Sequence, residues 1–300
     1  MSSSIFGAVP GAFGAVPGAF GAVPGAFGAV PGAFGAELGF VLAAGIFTAV
    51  VCGLGTLPFF FVDEISDRLT VLLWGFAGGI MLFASLFGFI FEGLEEGSLL
   101  QVGSGLVVGV GLVIVADRLI SGYEFAPREM ATADFRKLVL IVGVLTVHSF
   151  PEGVALGVAF ADLGVEGDLE IVGLAIPALA IFITVAIAVQ NIPEGIAVAI
   201  PLKTYGLPNW QLFGWAVFSS LPQPLGAAVA YVFVTWAREF LPFGFGFAAG
   251  AMIFLVLHDI FPEALDHGHG AGLTNGGRRE LLIGILLGVV LMLPVMLLTE

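Results

Sequence analysis

"HSFPEG" occupies His148–Gly153 with apolar sequence on both sides, "LVLIVGVLTV" (Leu138–Val147) leading in and "VALGVAF" (Val154–Phe160) leading out. A run of about 20 apolar residues crosses a bilayer as a helix, so a histidine, a proline and a carboxylate stand in the middle of a span. "QNIPEG" (Gln190–Gly195) repeats the pattern inside a second apolar run. Aligned without gaps, "VHSFPEGVALG" and "VQNIPEGIAVA" share Val, Pro, Glu, Gly and Ala. The first residue of each motif and its glutamate are four apart, hence one turn apart on one helical face. Pro151 and Pro193 carry no amide hydrogen, so the carbonyls of Val147 and Val189 lose their helical partners. Gly153 and Gly195 let another backbone come close. Carboxylate, imidazole or amide, and spare carbonyl oxygens gathered at one depth have the composition of a cation site.

A charged side chain at a helix centre costs roughly 2.5–3.5 kcal/mol on insertion scales. No Lys or Arg falls inside the spans, so the compensating charge is a proton or a bound cation. The plainer alternative is a pair of protonated glutamates hydrogen-bonded across a helix interface. His148 with carboxylate and amide oxygens suits zinc and its first-row neighbours, whereas all-oxygen cages suit Mg and Ca. The single Cys52 excludes a cysteine-rich zinc site.

The rest of the chain fits this setting. With 59% hydrophobic and 11% charged residues, the composition is that of an all-α integral membrane protein. A net charge of -14 argues against nucleic acid as a partner. Eight spans are predicted, at about 38–61, 69–91, 99–116, 138–161, 178–201, 209–235, 241–263 and 280–299, with Pro177 ending an interfacial lead-in to the fifth. If the first helix enters from outside, eight of the nine basic residues lie on the cytoplasmic side and only Arg238 lies outside. Both termini then lie outside the cytoplasm. The outer loops carry Glu92, Glu95 and Glu96, then Asp162, Glu166, Asp168 and Glu170, either a solvated rim or a cation-collecting mouth. Gly7–Phe34 is four copies of "GAVPGAF", too rich in proline and glycine for a coiled coil. Residues 1–36 are therefore read as a low-complexity extension and 37–300 as the transmembrane domain.

Three further segments bear on the chemistry. "HDIFPEALDHGHG" (His258–Gly270) closes the seventh span on the cytoplasmic side, with Asp259 and Glu263 four apart around a proline and His267 and His269 in the following loop. It reads as an exit route or as an ordinary polar helix end. "SSLPQPLGA" places Gln223 between two prolines, with no carboxylate nearby in sequence. Met81 in "AGGIM" is a thioether on an apolar span, usually a packing residue.

Together these residues resemble the ZIP (Zrt/Irt-like) family of divalent metal transporters over Leu38–Glu300, with the paired motifs as the specific part and "AGGIM", "SSLPQPLGA" and "HDIFPE" as support. Glutamine in the second motif is similar to bacterial-type members. The resemblance implies an inverted-repeat bundle that takes up Zn2+, and often Fe2+, Mn2+, Co2+ or Cd2+, across the plasma membrane into the cytoplasm. Alternating access by helices one, four, five and six against the rest would move the ion. It implies a primary site of Met81, His148, Glu152, Gln190 and Glu194, and a second site at Ser149, Asn191 and Gln223 with the shared glutamates. At that second site Ser149 replaces an asparagine and Gln223 a glutamate, which predicts one well-held ion rather than two. His258, Asp259 and Glu263 would serve the exit route. The predicted partners are divalent metal ions and the lipid bilayer, with homodimerisation left open. A secondary transporter, not an enzyme, is the main reading; an intramembrane metallohydrolase and a proton channel are the alternatives.

Overall fold

The computed structural model describes residues 31–62, 64–121, 149–164, 169–171, 173–204 and 206–299. The helices are α1 (Pro31–Leu54), α2 (Asp67–Phe83), α3 (Phe91–Glu96), α4 (Leu99–Ser121), α5 (149–159), α6 (Ala178–Thr204), α7 (Asn209–Ser219), α8 (Pro222–Trp236), α9 (Leu241–Leu255), α10 (Phe261–Gly270) and α11 (Arg278–Thr299). α1 starts at Pro31, inside the last copy of the heptapeptide repeat. Among the described residues, seven helical stretches are long and apolar enough to cross a membrane. α5 is the second half of the predicted fourth span, whose first half, 138–148, lies outside the described residues.

Three departures from the sequence reading have local causes. The lead-in to the fifth span is a hairpin, β1 (Leu169–Ile171) paired antiparallel with β2 (Leu174–Ile176), and Gly173 supplies the positive φ of +77° its tight turn requires. The sixth span is two helices, because Pro222 cannot donate into the preceding turn and starts α8 afresh. His267 and His269 lie in α10 rather than in a loop. Gly268 lets α10 close on the Gly276 backbone, and Asp67 holds His267 at 3.0 Å.

Two π-helical turns interrupt the bundle, Ala84–Ile90 between α2 and α3 and Val256–Ile260 between α9 and α10. They fall at matching places in a repeat, "FAGGIMLF" (Phe76–Phe83) and "FAAGAMIF" (Phe247–Phe254). The same residue offset carries Cys52 to Gln223, Gly55 to Gly226, Gly75 to Gly246 and Gly79 to Gly250. Packing follows the repeat. A Cβ on Gly75 or Gly79 would strike the carbonyls of Leu281 and Ile285 on α11, and one on Gly246 or Gly250 those of Val102 and Leu106 on α4. The partner helices answer with Gly284 and Gly288, and with Gly105 and Gly109. These are small-xxx-small contacts, through which membrane helices meet backbone to backbone.

The bundle can be taken as two bodies. In the first, α2 meets α11 and α4 meets α9 in this way, with α10 packed on α2 through the Phe261 side chain at Gly78; in the second, α1, α5, α6 and α8 are joined where Gly45 faces Pro224, Gly55 faces Ile192 and Gly157 faces Ala227. Across the boundary the described glycines meet only side chains, as Gly88 does with Phe182 and Ile183, and Gly244 with Val158. One apolar cluster fills that boundary, with Ile80, Met81 and Phe245 on one side and Ala155, Val158 and Ile187 on the other.

Candidate functional site

The paired motifs meet inside the second body. Gln190 and Asn191 stand at the middle of α6, roughly 20 Å of helix from either end at 1.5 Å per residue. Gly153 brings α5 against α8: a Cβ there would lie 2.1 Å from the Gln223 carbonyl. Gly195 does the same for α6 and α1, with the Cys52 carbonyl 1.9 Å from the built Cβ. Each glycine after a motif glutamate thus admits a neighbouring backbone, as the sequence predicts, and the two contacts are equivalent under the repeat.

These approaches enclose a polar cluster. Glu152 is buried, and Gln190, Asn191 and Gln223 have no exposed surface. The Gln190 amide nitrogen donates to Glu152 Oε1 at 2.9 Å, and that of Gln223 donates to Glu152 Oε2 at 2.6 Å. Asn191 Nδ2 donates to the Thr48 carbonyl at 2.8 Å and to Gln223 Oε1 at 3.1 Å. Glu194, partly buried, lies beside Glu152, close enough for the two carboxyl groups to interact. That pairing calls for a proton or a cation between the two groups. Gln190 Oε1 is buried and meets no donor among the described residues, and a buried acceptor left so costs about 1–3 kcal/mol. An oxygen free to accept, beside two carboxyl groups, is what a cation takes as ligand.

The other predicted residues are placed as follows. His148 lies outside the described residues. Ser149 is buried at the start of α5. Met81 is fully buried, in the same cluster as Ala155 and Ile187, which stand three residues from Glu152 and Gln190. Gln223 departs from the sequence reading, which gives it no carboxylate nearby: Glu152 is its neighbour in space, though 71 residues away in sequence. Thr48 on α1 is a polar member of the cluster that the sequence reading does not pick out; its one sequence signal is a hydroxyl in an apolar span. His258 is exposed, bonded to Asp259 at 2.8 Å and stacked on Phe254. Glu263 is exposed on α10, and the π turn removes the simple one-turn spacing of Asp259 and Glu263. No hydrogen bond among the described residues joins these three to the cluster around Glu152. Nor does any group of three or more His, Cys, Asp and Glu side chains placed to hold a metal ion occur among the described residues.

A cavity of about 780 Å³ opens between the two bodies. Glu92, Glu95, Glu96 and Asp162 all line it, and Val158, Phe182 and Phe245 form its apolar part. Asp162 is also ion-paired with Arg238. Val158 and Phe182 stand about two turns from Glu152 and Gln190 along their helices, roughly 10 Å. The residues between, among them Ala155, Leu156, Ile183 and Ile187, are buried and apolar. Buried apolar side chains thus lie between the acidic cavity and the polar cluster.

Comparison with known proteins bears on this arrangement. The family profile described as "ZIP Zinc transporter" matches residues 126–296. Zinc transporter ZIPB of Bordetella bronchiseptica is 34% identical over 252 residues, 80% of this chain and 77% of its own length. Zinc transporter GufA of Myxococcus xanthus is 27% identical over 269 residues, 85% of this chain and 98% of its own. An Arabidopsis thaliana protein is 38% identical over 217 residues, 72% of this chain; the match spans only 33% of that longer relative.

Proposed function

The chain belongs to the ZIP zinc transporter family, and from that premise we propose that it takes up a divalent transition metal, zinc first, across the plasma membrane into the cytoplasm. It is a membrane protein of a transporter family. The observation that carries the reading is the buried cluster at mid-span, where Glu152 and Glu194 lie side by side next to Gln190 Oε1, which meets no donor among the described residues. Two carboxylates balance the charge of one divalent ion, which a low-dielectric interior demands. His148, one turn from Glu152 on the motif face, would add a nitrogen ligand, and Met81 a thioether from the other body. The names of the bacterial relatives, zinc transporters both, agree with this cargo.

In the mechanism proposed, Glu92, Glu95 and Glu96 gather cations in the cavity from outside. The apolar layer of Ala155, Ile183 and Ile187 then keeps the ion from the centre until the bodies shift. The packing favours such a shift. Backbone-to-backbone glycine contacts join α1, α5, α6 and α8, and pair α2 with α11 and α4 with α9, while the glycines at the boundary meet side chains alone, so sliding there breaks no glycine-to-backbone contact. Inward release would pass Asp259 and Glu263, with His258 at the rim. Residues 37–300 form the transport domain in this reading, 1–36 an extension, and both termini lie outside the cytoplasm.

Uptake of radioactive zinc into vesicles carrying the purified chain tests the proposal. Glu152→Ala and Glu194→Ala are expected to abolish accumulation while the protein stays monodisperse in detergent. Accumulation that persists in both variants refutes the site; manganese or iron outcompeting zinc refutes the order of cargoes.

A further inference from the structure

We infer that Met252 is a second thioether contact for the ion, taking the place of Met81 when the two bodies shift; the inference rests on the metal-binding reading above. It starts from backbone contacts that come in matched pairs. A Cβ on Gly195 would strike the Cys52 carbonyl, and one on Gly153 the Gln223 carbonyl. Likewise Gly55 meets the Ile192 carbonyl, and Gly226 that of Phe150. Each pair becomes the other when α1 is exchanged with α8 and, at the same time, α5 with α6. Because α5 and α6 are consecutive spans and cross the membrane in opposite senses, the exchange is a two-fold rotation about an axis in the membrane plane. It turns Glu152 into Glu194, so the axis runs through the centre. It also turns Glu92 of the outer cavity into Glu263 of α10, which exchanges the two membrane faces.

The first body obeys the same operation. Gly75 and Gly79 set α2 on α11 as Gly246 and Gly250 set α9 on α4, and each helix then enters a π turn. Met81 and Met252 are equivalent positions on these helices. Only six methionines occur in the chain, and their neighbours differ across the repeat, Ile80 against Ala251 and Leu82 against Ile253. Both sulfur side chains are buried, in the one apolar cluster that also holds Ala155 and Ile187. An arrangement of the bodies that brings Met81 to the ion therefore has a two-fold counterpart that brings Met252 there instead. Energetics favour such an exchange. A bound ion biases two states by its difference in affinity for them, and a thioether present in only one state would hold the ion back in that state. A second thioether of the same chemistry levels the two and adds no charge to the carboxylate pair.

Cadmium transport by the full chain in oriented membrane vesicles tests this, with the outer face exposed in right-side-out vesicles and the cytoplasmic face in inside-out ones. Cd2+ is the probe because a sulfur ligand counts for more with a soft ion than with Mn2+. Met81→Leu and Met252→Leu remove the sulfur at nearly constant volume, a swap that packed cores tolerate. Each is expected to raise the half-saturating Cd2+ concentration about tenfold on one membrane face, the lower end of what losing a supporting group costs a metal site. The two variants should act on opposite faces, and half-saturating Mn2+ should stay unchanged in both. Met252→Leu acting on the same face as Met81→Leu, on both faces equally or on neither overturns the inference. An equal loss for Cd2+ and Mn2+ overturns it as well, since a packing defect does not select by softness. If Met252→Leu does not purify as a monodisperse protein, Met252→Ile, which also lacks the sulfur, is read in the same way. Should both leucine variants leave Cd2+ transport unchanged while Glu152→Ala abolishes it, the thioether exchange fails and the carboxylate centre stands. Transport that survives both Glu152→Ala and Glu194→Ala defeats the metal-binding reading beneath it.

Discussion

Replacing Gly153 with alanine puts a methyl group where the backbone of Gln223 already stands. The built Cβ lies 2.1 Å from the Gln223 carbonyl oxygen and 2.8 Å from its Cα. An ordinary Cα–H···O contact between helices has a C···O distance of about 3.3–3.6 Å, so α5 and α8 must part by more than an ångström. The Gln223–Glu152 bond is 2.6 Å long, and the same displacement takes it beyond hydrogen-bonding range. Forced expansion of a packed interface costs about 1–3 kcal/mol, and losing a hydrogen bond to a charged group about 1.5–3 kcal/mol. A destabilisation of roughly 3–5 kcal/mol follows for Gly153→Ala. The control is Gly103→Ala on α4, where nothing lies within 4 Å; there alanine should stabilise the helix by about 0.5–1 kcal/mol. Thermal unfolding in detergent reads both variants, with zinc binding as the second readout. If Gly153→Ala unfolds at the wild-type temperature and binds zinc as tightly, the close approach of α5 and α8 does not build the site, and the reasoning fails.

Other outcomes follow from the same geometry. Converting Glu92, Glu95 and Glu96 together to glutamine should raise the zinc concentration for half-maximal uptake at low ionic strength and matter little at high salt, where screening removes long-range attraction; an unchanged low-salt KM would leave these residues a solvated rim. His148→Ala should reduce zinc binding while the chain remains folded, and binding unaltered by the change would remove the imidazole from the ligand set. Arg238→Ala breaks an exposed pair with Asp162, so unfolding should shift by less than about 1 kcal/mol; a larger shift would show that the pair braces the cavity rim.

The spans and the paired motif were legible because each depends on local sequence: apolar length for one, and proline, glutamate and glycine at fixed spacing for the other. The contact of Gln223 with Glu152 was not, since it depends on how α8 is set against α5 after the break at Pro222. The repeat of Phe76–Phe83 at Phe247–Phe254 was readable in the letters, but it is apolar and escapes a search for chemistry-bearing residues. "HGHG" reads as a loop from its glycines, yet Gly268 serves close packing rather than a turn. The strands of 169–176 are three residues each, too short for alternation to show.

Of the residues gathered around Glu152, all belong to one body: Thr48 to α1, Glu152 to α5, Gln190, Asn191 and Glu194 to α6, and Gln223 to α8. Their hydrogen bonds cross between these four helices and join them at mid-span, where the glycine contacts already bring the backbones together. In the proposed mechanism a centre built this way moves as a unit with its body. Met81 is the exception, because α2 belongs to the other body and is fixed to α11 through Gly75 and Gly79. A thioether held there keeps its distance to the centre only while the two bodies keep their present alignment. In the mechanism proposed above, Met81 is a contact made in one arrangement and lost in the other, while the carboxylates and amides stay with the ion throughout.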